Sequence, residues 1–269
     1  MIDRGEPLDS LATTLAGVVR YRTLLSKLVL KDLKLKYRGS VLGFLWSLIN
    51  PLVMITVYFF AFRYFMGNRT EGFVFLVLLG ILAWTFFSTA AMMSTGAIAD
   101  NGSLLKSVFF PRAILPIATV LFNFAQYLLM AAVFLPLMLI VFRITPAAPM
   151  LAYPVFLVLQ VVFTIGVALI LATGTTFFRD IRHLLEVALA VMFWTTPIVY
   201  EMSQVPARVQ PFILASPMSS FVVAYKDVFF YRQWPPPAVW TFAIAYAIIA
   251  FAAGVALLLK FEDRFAELT

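Results

Sequence analysis

Residues 113–142 read AILPIATVLFNFAQYLLMAAVFLPLMLIVF, thirty positions without one Asp, Glu, Lys or Arg. A helix needs about 20 apolar residues to cross the hydrocarbon core of a bilayer, so this stretch is long enough to span. Similar charge-free stretches lie at 39–62, 72–99, 144–178 and 233–259. A shorter one, 187–200, reaches a marginal span when extended back through Glu186 to His183. Inside lipid the backbone must satisfy its own hydrogen bonds, so segments this long are helices. Barrel strands would show runs of about 10 residues with alternating polarity, which the sequence lacks. The reading is an all-α polytopic membrane protein with one membrane domain over 1–269. Its six spans fall at about 42–65, 73–94, 115–142, 151–177, 183–200 and 238–259.

Composition agrees. Of 269 residues, 63% are apolar and 12% charged, against about 45–50% and 25% in an average soluble domain. A soluble enzyme, a disordered chain and a disulfide scaffold are thereby excluded. No cysteine is present, and His183 is the one histidine. That rules out thiolate chemistry, a disulfide framework and a histidine-rich metal site. The net charge of +7 fits cytoplasmic loops and anionic lipid rather than nucleic acid. The first 20 residues contain Asp3, Glu6 and Asp9 and no long apolar run, unlike a cleaved secretory signal. With six spans both termini share one side. That side holds fourteen of the 20 Lys and Arg, which places the termini in the cytoplasm.

Two segments between spans carry further information. In 21–38, Lys27, Lys31, Lys34 and Arg38 form one narrow helical stripe, with Leu24, Leu25, Leu28, Val29 and Leu35 on a neighbouring face. This predicts an amphipathic helix on the cytoplasmic leaflet, serving as an anchor alone or also as a docking surface. In 201–237, Pro206, Pro211 and Pro217 interrupt a stretch with no charge between Arg208 and Lys226. It suits two short helices, near 207–215 and 218–231, dipping into the outer face as a re-entrant gate or lying there as an interfacial loop. No internal repeat is evident, which disfavours an inverted-repeat secondary transporter.

Motifs for chemistry are sparse. The phosphate loop G-x-x-x-x-G-K-[ST] is absent, so the energy for any pump comes from another chain or an ion gradient. Glu186 is the one acid inside a predicted span, three residues after His183. The reading there is a bond to a neighbouring helix or to Arg179 or Arg182. The chain reads as non-catalytic, with no metal ligands. Aromatics make up 16% of the residues. Tyr58, Phe62 and Phe65 on the first span, with Phe193, Trp194 and Tyr200 on the fifth, are candidates to line a glycan path. Their alternative role is lipid contact and helix packing.

Three blocks together carry a family resemblance: KDLKLKYRGSVLGFLWSLINPL at 31–52, NGSLLKSVFFPRAILP at 101–116 and FRDIRHLLEVALAVMFWTTPIVY at 178–200. They resemble the membrane subunit of bacterial type-two ABC exporters for lipid-linked polysaccharides: O-antigen, capsule and teichoic acid. The resemblance implies a homodimer forming a channel in the inner membrane, driven by two copies of a cytoplasmic ABC ATPase that carries ATP and Mg. It implies that 21–38 is an interface helix touching the ATPase, so that Lys27, Lys31, Lys34 and Arg38 are contact candidates. It implies a coupling helix at 101–112, with Asn101, Lys106 and Arg112 as further contacts. It implies outer gate helices at 206–231, where Phe212, Phe221 and Tyr225 are the aromatic candidates. O-antigen is the expected cargo. The alternatives are a permease of the same architecture for small lipids or drugs, and an ion-gradient-driven secondary transporter.

Overall fold

The computed structural model describes residues 20–61, 64, 72–102 and 110–261. Phe62, Phe65 and Lys106, and most of the expected coupling helix, lie outside the described residues. Among the described residues the regular structure is helical, with no strand. The helices are α1 (Arg22–Tyr37), α2 (Leu45–Phe60), α3 (Phe73–Thr95), α4 (Ile114–Val141), α5 (Tyr153–Phe177), α6 (Ile181–Thr195), α7 (Gln210–Leu214), α8 (Ser219–Lys226) and α9 (Pro237–Phe261). A 3-10 turn at Ala148–Ala152 leads into α5, and a π turn at Asp227–Tyr231 extends α8.

Among the described residues four helices are long and apolar enough to cross a membrane: α3, α4, α5 with its leading turn, and α9. Their bounds agree with four of the predicted spans to within a few residues. The other two predicted spans are shorter. The first begins at Leu45 because Gly39 (φ +74°) and Gly43 (φ +47°) hold the chain in left-handed turns before it. The fifth stops at Thr195, five residues before the expected end. Pro197 explains the stop. It disfavours helical geometry at the residue before it, and Thr196 is extended (φ −97°, ψ 133°).

α3 is the hub. Seventeen of its 23 residues are buried, because α2, α4, α5, α6 and α8 all pack on it. A helix that is apolar all round suits either the middle of a bundle or a lipid-facing span, and the neighbours of α3 give it the first. α5 and α9 make the most extensive helix pair. Ala243, Ala247, Ala250 and Gly254 line the buried face of α9, and Gly166 faces them. Small residues at such spacing let two helix backbones approach closely, which is how helices associate where lipid gives no hydrophobic drive. A Cβ on Gly166 would sit 2.3 Å from the Ala250 carbonyl carbon, and one on Gly254 would sit 2.5 Å from the Gly166 oxygen.

α8 is enclosed rather than superficial. Seven of its eight residues are buried, against α3, α5 and α9. By contrast α2 buries only Ser47, Pro51 and Ile55, one stripe at four-residue spacing. α6 buries only Leu189. The two helices that the sequence assigns to the path are therefore the least covered of the six predicted spans.

Gly166 and Gly174 make a paired test of the α5–α9 seam. Gly166→Ala drives a Cβ into backbone and should lower the thermal unfolding temperature in detergent, by an overpacking cost of about 1–3 kcal/mol. Gly174→Ala meets only the Ile181 Cδ1 end at 2.7 Å, which can rotate away. It should be neutral or slightly stabilising. Equal effects would contradict the close-approach account.

Candidate functional site

On the side of the chain's N-terminal helix, α1 packs on the start of α4. Leu28 is buried with Phe110, Ile114, Leu115 and Ala118, and Leu24, Leu25 and Val29 lie against the same cluster. Phe110 belongs to the expected coupling segment, so the described end of that segment packs on α1. Lys27, Lys31, Lys34 and Arg38 remain exposed as a stripe, with Lys31 3.4 Å from the Asp32 carboxylate. Asn101 is half-buried and donates from Nδ2 to the Ala97 carbonyl, 3.0 Å away. Arg112 is half-buried at the start of α4. Leu35, on the apolar face expected to meet the leaflet, is 53% exposed. At that end of α1 the contacts come instead from Lys36, whose ammonium donates to Gln126 Oε1, and from Tyr37, whose hydroxyl lies 2.8 Å from Ser47 Oγ. Burial pulls the Lys36 pKa below its ordinary value.

The aromatic candidates of the first and fifth spans meet. Tyr58 on α2 stacks on Phe193 of α6, centroids 5.8 Å apart. Phe193 also packs edge-on against Trp84 of α3 and against Trp194. Tyr200 donates its hydroxyl to the Trp194 carbonyl, 3.2 Å away. Tyr58, Phe193, Trp194 and Tyr200 thus form one connected group that ties α2 to α6. Trp194 stays 61% exposed.

Of the gate candidates, Phe212 on α7 is 77% exposed, while Phe221 and Tyr225 on α8 are fully buried. Phe221 packs against Phe163. Tyr225 donates to Gln160 Oε1 at 2.7 Å, and Gln160 Nε2 donates to the Ala83 carbonyl at 2.9 Å. Gln160 therefore bonds α5 to both α3 and α8. In this conformation Phe221 and Tyr225 anchor α8 and expose no ring.

The strongest polar feature is one the sequence reading passed over. Lys226 is 4% exposed. Its ammonium donates to three carbonyls, those of Pro197, Ile198 (3.1 Å) and Tyr200 (3.0 Å). These belong to the unwound segment after α6, whose oxygens have lost their helical partners. One lysine carries three donors and so replaces the missing helix turn. The segment also packs tightly: a Cβ on Gly80 of α3 would sit 3.0 Å from the Ile198 Cα. Burial pulls the Lys226 pKa down to about 7, opposed by the Glu201 carboxylate. Burial raises Asp227 to about 6, opposed by the hydrogen bond from Gln233. Tyr231 donates to Glu201 and is raised by burial and that bond. The signal was available: Lys226 ends a long charge-free stretch, and Gln160 is a lone amide deep in a predicted span. Both need partners in a low-dielectric surrounding.

Glu186 lies 3.7 Å from His183 on the exposed face of α6, and neither bond expected for it, to Arg179 or Arg182 or to another helix, is among its described contacts. Among the described residues no group of three or more His, Asp or Glu could hold a metal ion.

A bundle with four long apolar helices among its described residues fits a multi-pass membrane protein, and comparison with known proteins gives the class. The family model for ABC-2 type transporters matches residues 23–230, which is most of the chain. The chain belongs to the ABC-2 transporter membrane family. It is 32% identical to the O-antigen export system permease protein RfbA of Myxococcus xanthus, over 92% of this chain and 96% of that one. It is 30% identical to a Klebsiella pneumoniae protein with the same name, over 88% and 92%. Identity to the polysialic acid transport protein KpsM of Escherichia coli is 23%, over 79% and 83%.

Lys226→Met removes the donors and leaves the three carbonyls buried without them. Each unsatisfied group costs about 1–3 kcal/mol, so the variant should unfold at a clearly lower temperature in detergent. The wild type should also carry a pH signature. Because burial lowers the folded-state pKa from 10.5 to about 7, the unfolded chain binds more protons between those values, and stability rises with pH across that window. Thermal unfolding at pH 7 and pH 9 should show this gain in the wild type and its loss in Lys226→Met. Equal pH slopes would contradict the assignment.

Proposed function

We propose that this chain is the channel-forming permease subunit of an ATP-driven exporter that moves lipid-linked polysaccharide, of the O-antigen class, across the bacterial inner membrane. The observation that carries the reading is its likeness, over nearly its whole length, to relatives named as O-antigen export permeases. Two copies of the chain form the channel. Two copies of a separate cytoplasmic ATPase bind ATP and Mg. Both termini are cytoplasmic, and α2 and α6 complete the six spans.

The packing supports the following mechanism. ATP binding closes the ATPase dimer, which pushes on the exposed basic stripe of α1 and on the 101–112 segment. Their shared cluster around Leu28 and Phe110 makes them move as one piece. The push reaches α4 directly, and reaches α2 through Tyr37 and Ser47. α2 and α6 are held to the bundle by narrow stripes, so they shift more easily than the α5–α9 pair. The Tyr58–Phe193 group offers ring faces to passing sugars, whose C–H surfaces stack on aromatics. On the outer side, α7 and α8 form the re-entrant gate: α8 is the anchored arm, and α7, with exposed Phe212, is the arm free to move. Coupling exists only if the two conformations differ in affinity for the nucleotide-bound ATPase.

Deletion of the gene in its host should leave lipid-linked glycan inside the cell and remove it from the surface, with the intact chain restoring it. Unchanged surface glycan, with no redundant exporter, would overturn the polysaccharide reading. Charge reversal at Lys27, Lys31 and Lys34 should abolish ATPase co-purification and export while the chain still inserts. Normal export by that variant would remove α1 from the coupling role.

A further inference from the structure

Between the end of α1 and helices α2, α3 and α4 lies a crevice of about 570 Å³. Its lining combines the polar side chains of Lys36, Asn50, Thr89 and Gln126 with Trp46 and Val53, the last two more than half exposed. No carboxylate is among its lining residues.

Three observations point to an anionic ligand. First, the crevice reaches well along α4: Gln126 lies about 18 Å from Ile114 at 1.5 Å per residue, and Lys36 extends to it from the end of α1. Second, Lys36 lies near the rings of Tyr37 and Phe122, at 5.8 and 5.9 Å, and its ammonium donates to the neutral Gln126 Oε1. Neither supplies a negative charge. Third, Gln126 is 5% exposed, and its Nε2 is buried with no hydrogen-bond partner. A buried amide donor without an acceptor costs about 1–3 kcal/mol. The donors of Lys36 and the free Gln126 amide are on the same wall, and only an acceptor-rich group satisfies both.

We infer that this crevice is a binding site for the phosphate-bearing head of a membrane lipid, held by Lys36 and Gln126. The phosphate oxygens accept from the ammonium and from Nε2. Trp46 and Val53, open to the bilayer, take the first part of the lipid chain. The shared chemistry is a phosphate ester on an apolar tail, whether the source is a bilayer phospholipid or a polyprenyl carrier of a glycan. The inference does not rest on the identity of the exported cargo.

The test uses the full chain in phosphatidylcholine nanodiscs, with lipid retention measured by native mass spectrometry. The probes are phosphatidylglycerol, a polyprenyl phosphate, and an uncharged glycosyl diacylglycerol as control. The wild type should retain one or both phosphate probes at least about tenfold better than Gln126→Glu, a near-isosteric change that repels phosphate, and better than Lys36→Gln. Lys36→Arg should keep retention, and so should Arg208→Gln, which removes one exposed cation elsewhere. Preference for the polyprenyl phosphate would assign the site to a glycan carrier, and preference for phosphatidylglycerol to a bilayer lipid. Equal retention by the wild type and Gln126→Glu, with both monodisperse, would overturn the site. So would equal retention of the uncharged control. Because binding is read without export, failure here leaves the export reading standing.

Discussion

The structure depends on the need to satisfy backbone carbonyls where water is scarce. Pro197 ends α6 early, and the five residues that follow run as open backbone against α3. Three of those carbonyls receive the ammonium of Lys226. That bond brings the end of α8 into the bundle, and Gln160 holds its middle by linking Tyr225 to the Ala83 carbonyl. An unwound segment in a membrane protein is stable only when protein covers it and partners its polar groups. Here one lysine and one glutamine do so, and α8 packs against α3.

That arrangement divides the protomer by firmness. α3, α5, α8 and α9 share close contacts, with the Gly166–Gly254 approach permitting no slack. α2 and α6 attach by narrow stripes and meet through the stacked rings of Tyr58 and Phe193. α1 is bound to the start of α4 and to Phe110. A bundle with a rigid part, two loosely held helices and a basic lever at one end is suited to convert a push from outside the membrane into a shift within it. Packed interfaces of this kind move between discrete arrangements rather than deform continuously.

Much of this was legible in the residues. The α3, α4, α5 and α9 spans follow from charge-free length alone, since nothing competes with a helix in so long an apolar run. The α2 and α6 bounds did not follow, because hydropathy does not register Gly39 and Gly43 or the effect of Pro197 on Thr196. The basic stripe of α1 was legible from its spacing, but the contact of Lys36 was not, because Lys36 lies off that stripe and pairs with a residue 90 positions away. Phe221 and Tyr225 read as gate aromatics because their helix sits in a Pro-broken outer segment. Their burial is a tertiary fact, set by Phe163 and Gln160, that no local pattern encodes.

The central claim is that this chain, with a separate ATPase, moves a lipid-linked glycan out of the cytoplasm. The most direct measurement uses inverted inner-membrane vesicles containing both subunits and a labelled lipid-linked glycan. Protection of the glycan from an added glycosidase is followed with ATP, without ATP, and with ATP plus a protonophore. The account predicts protection that requires ATP and the partner ATPase and is unaffected by the protonophore. Protection without ATP, or its loss on collapse of the proton gradient, would contradict it.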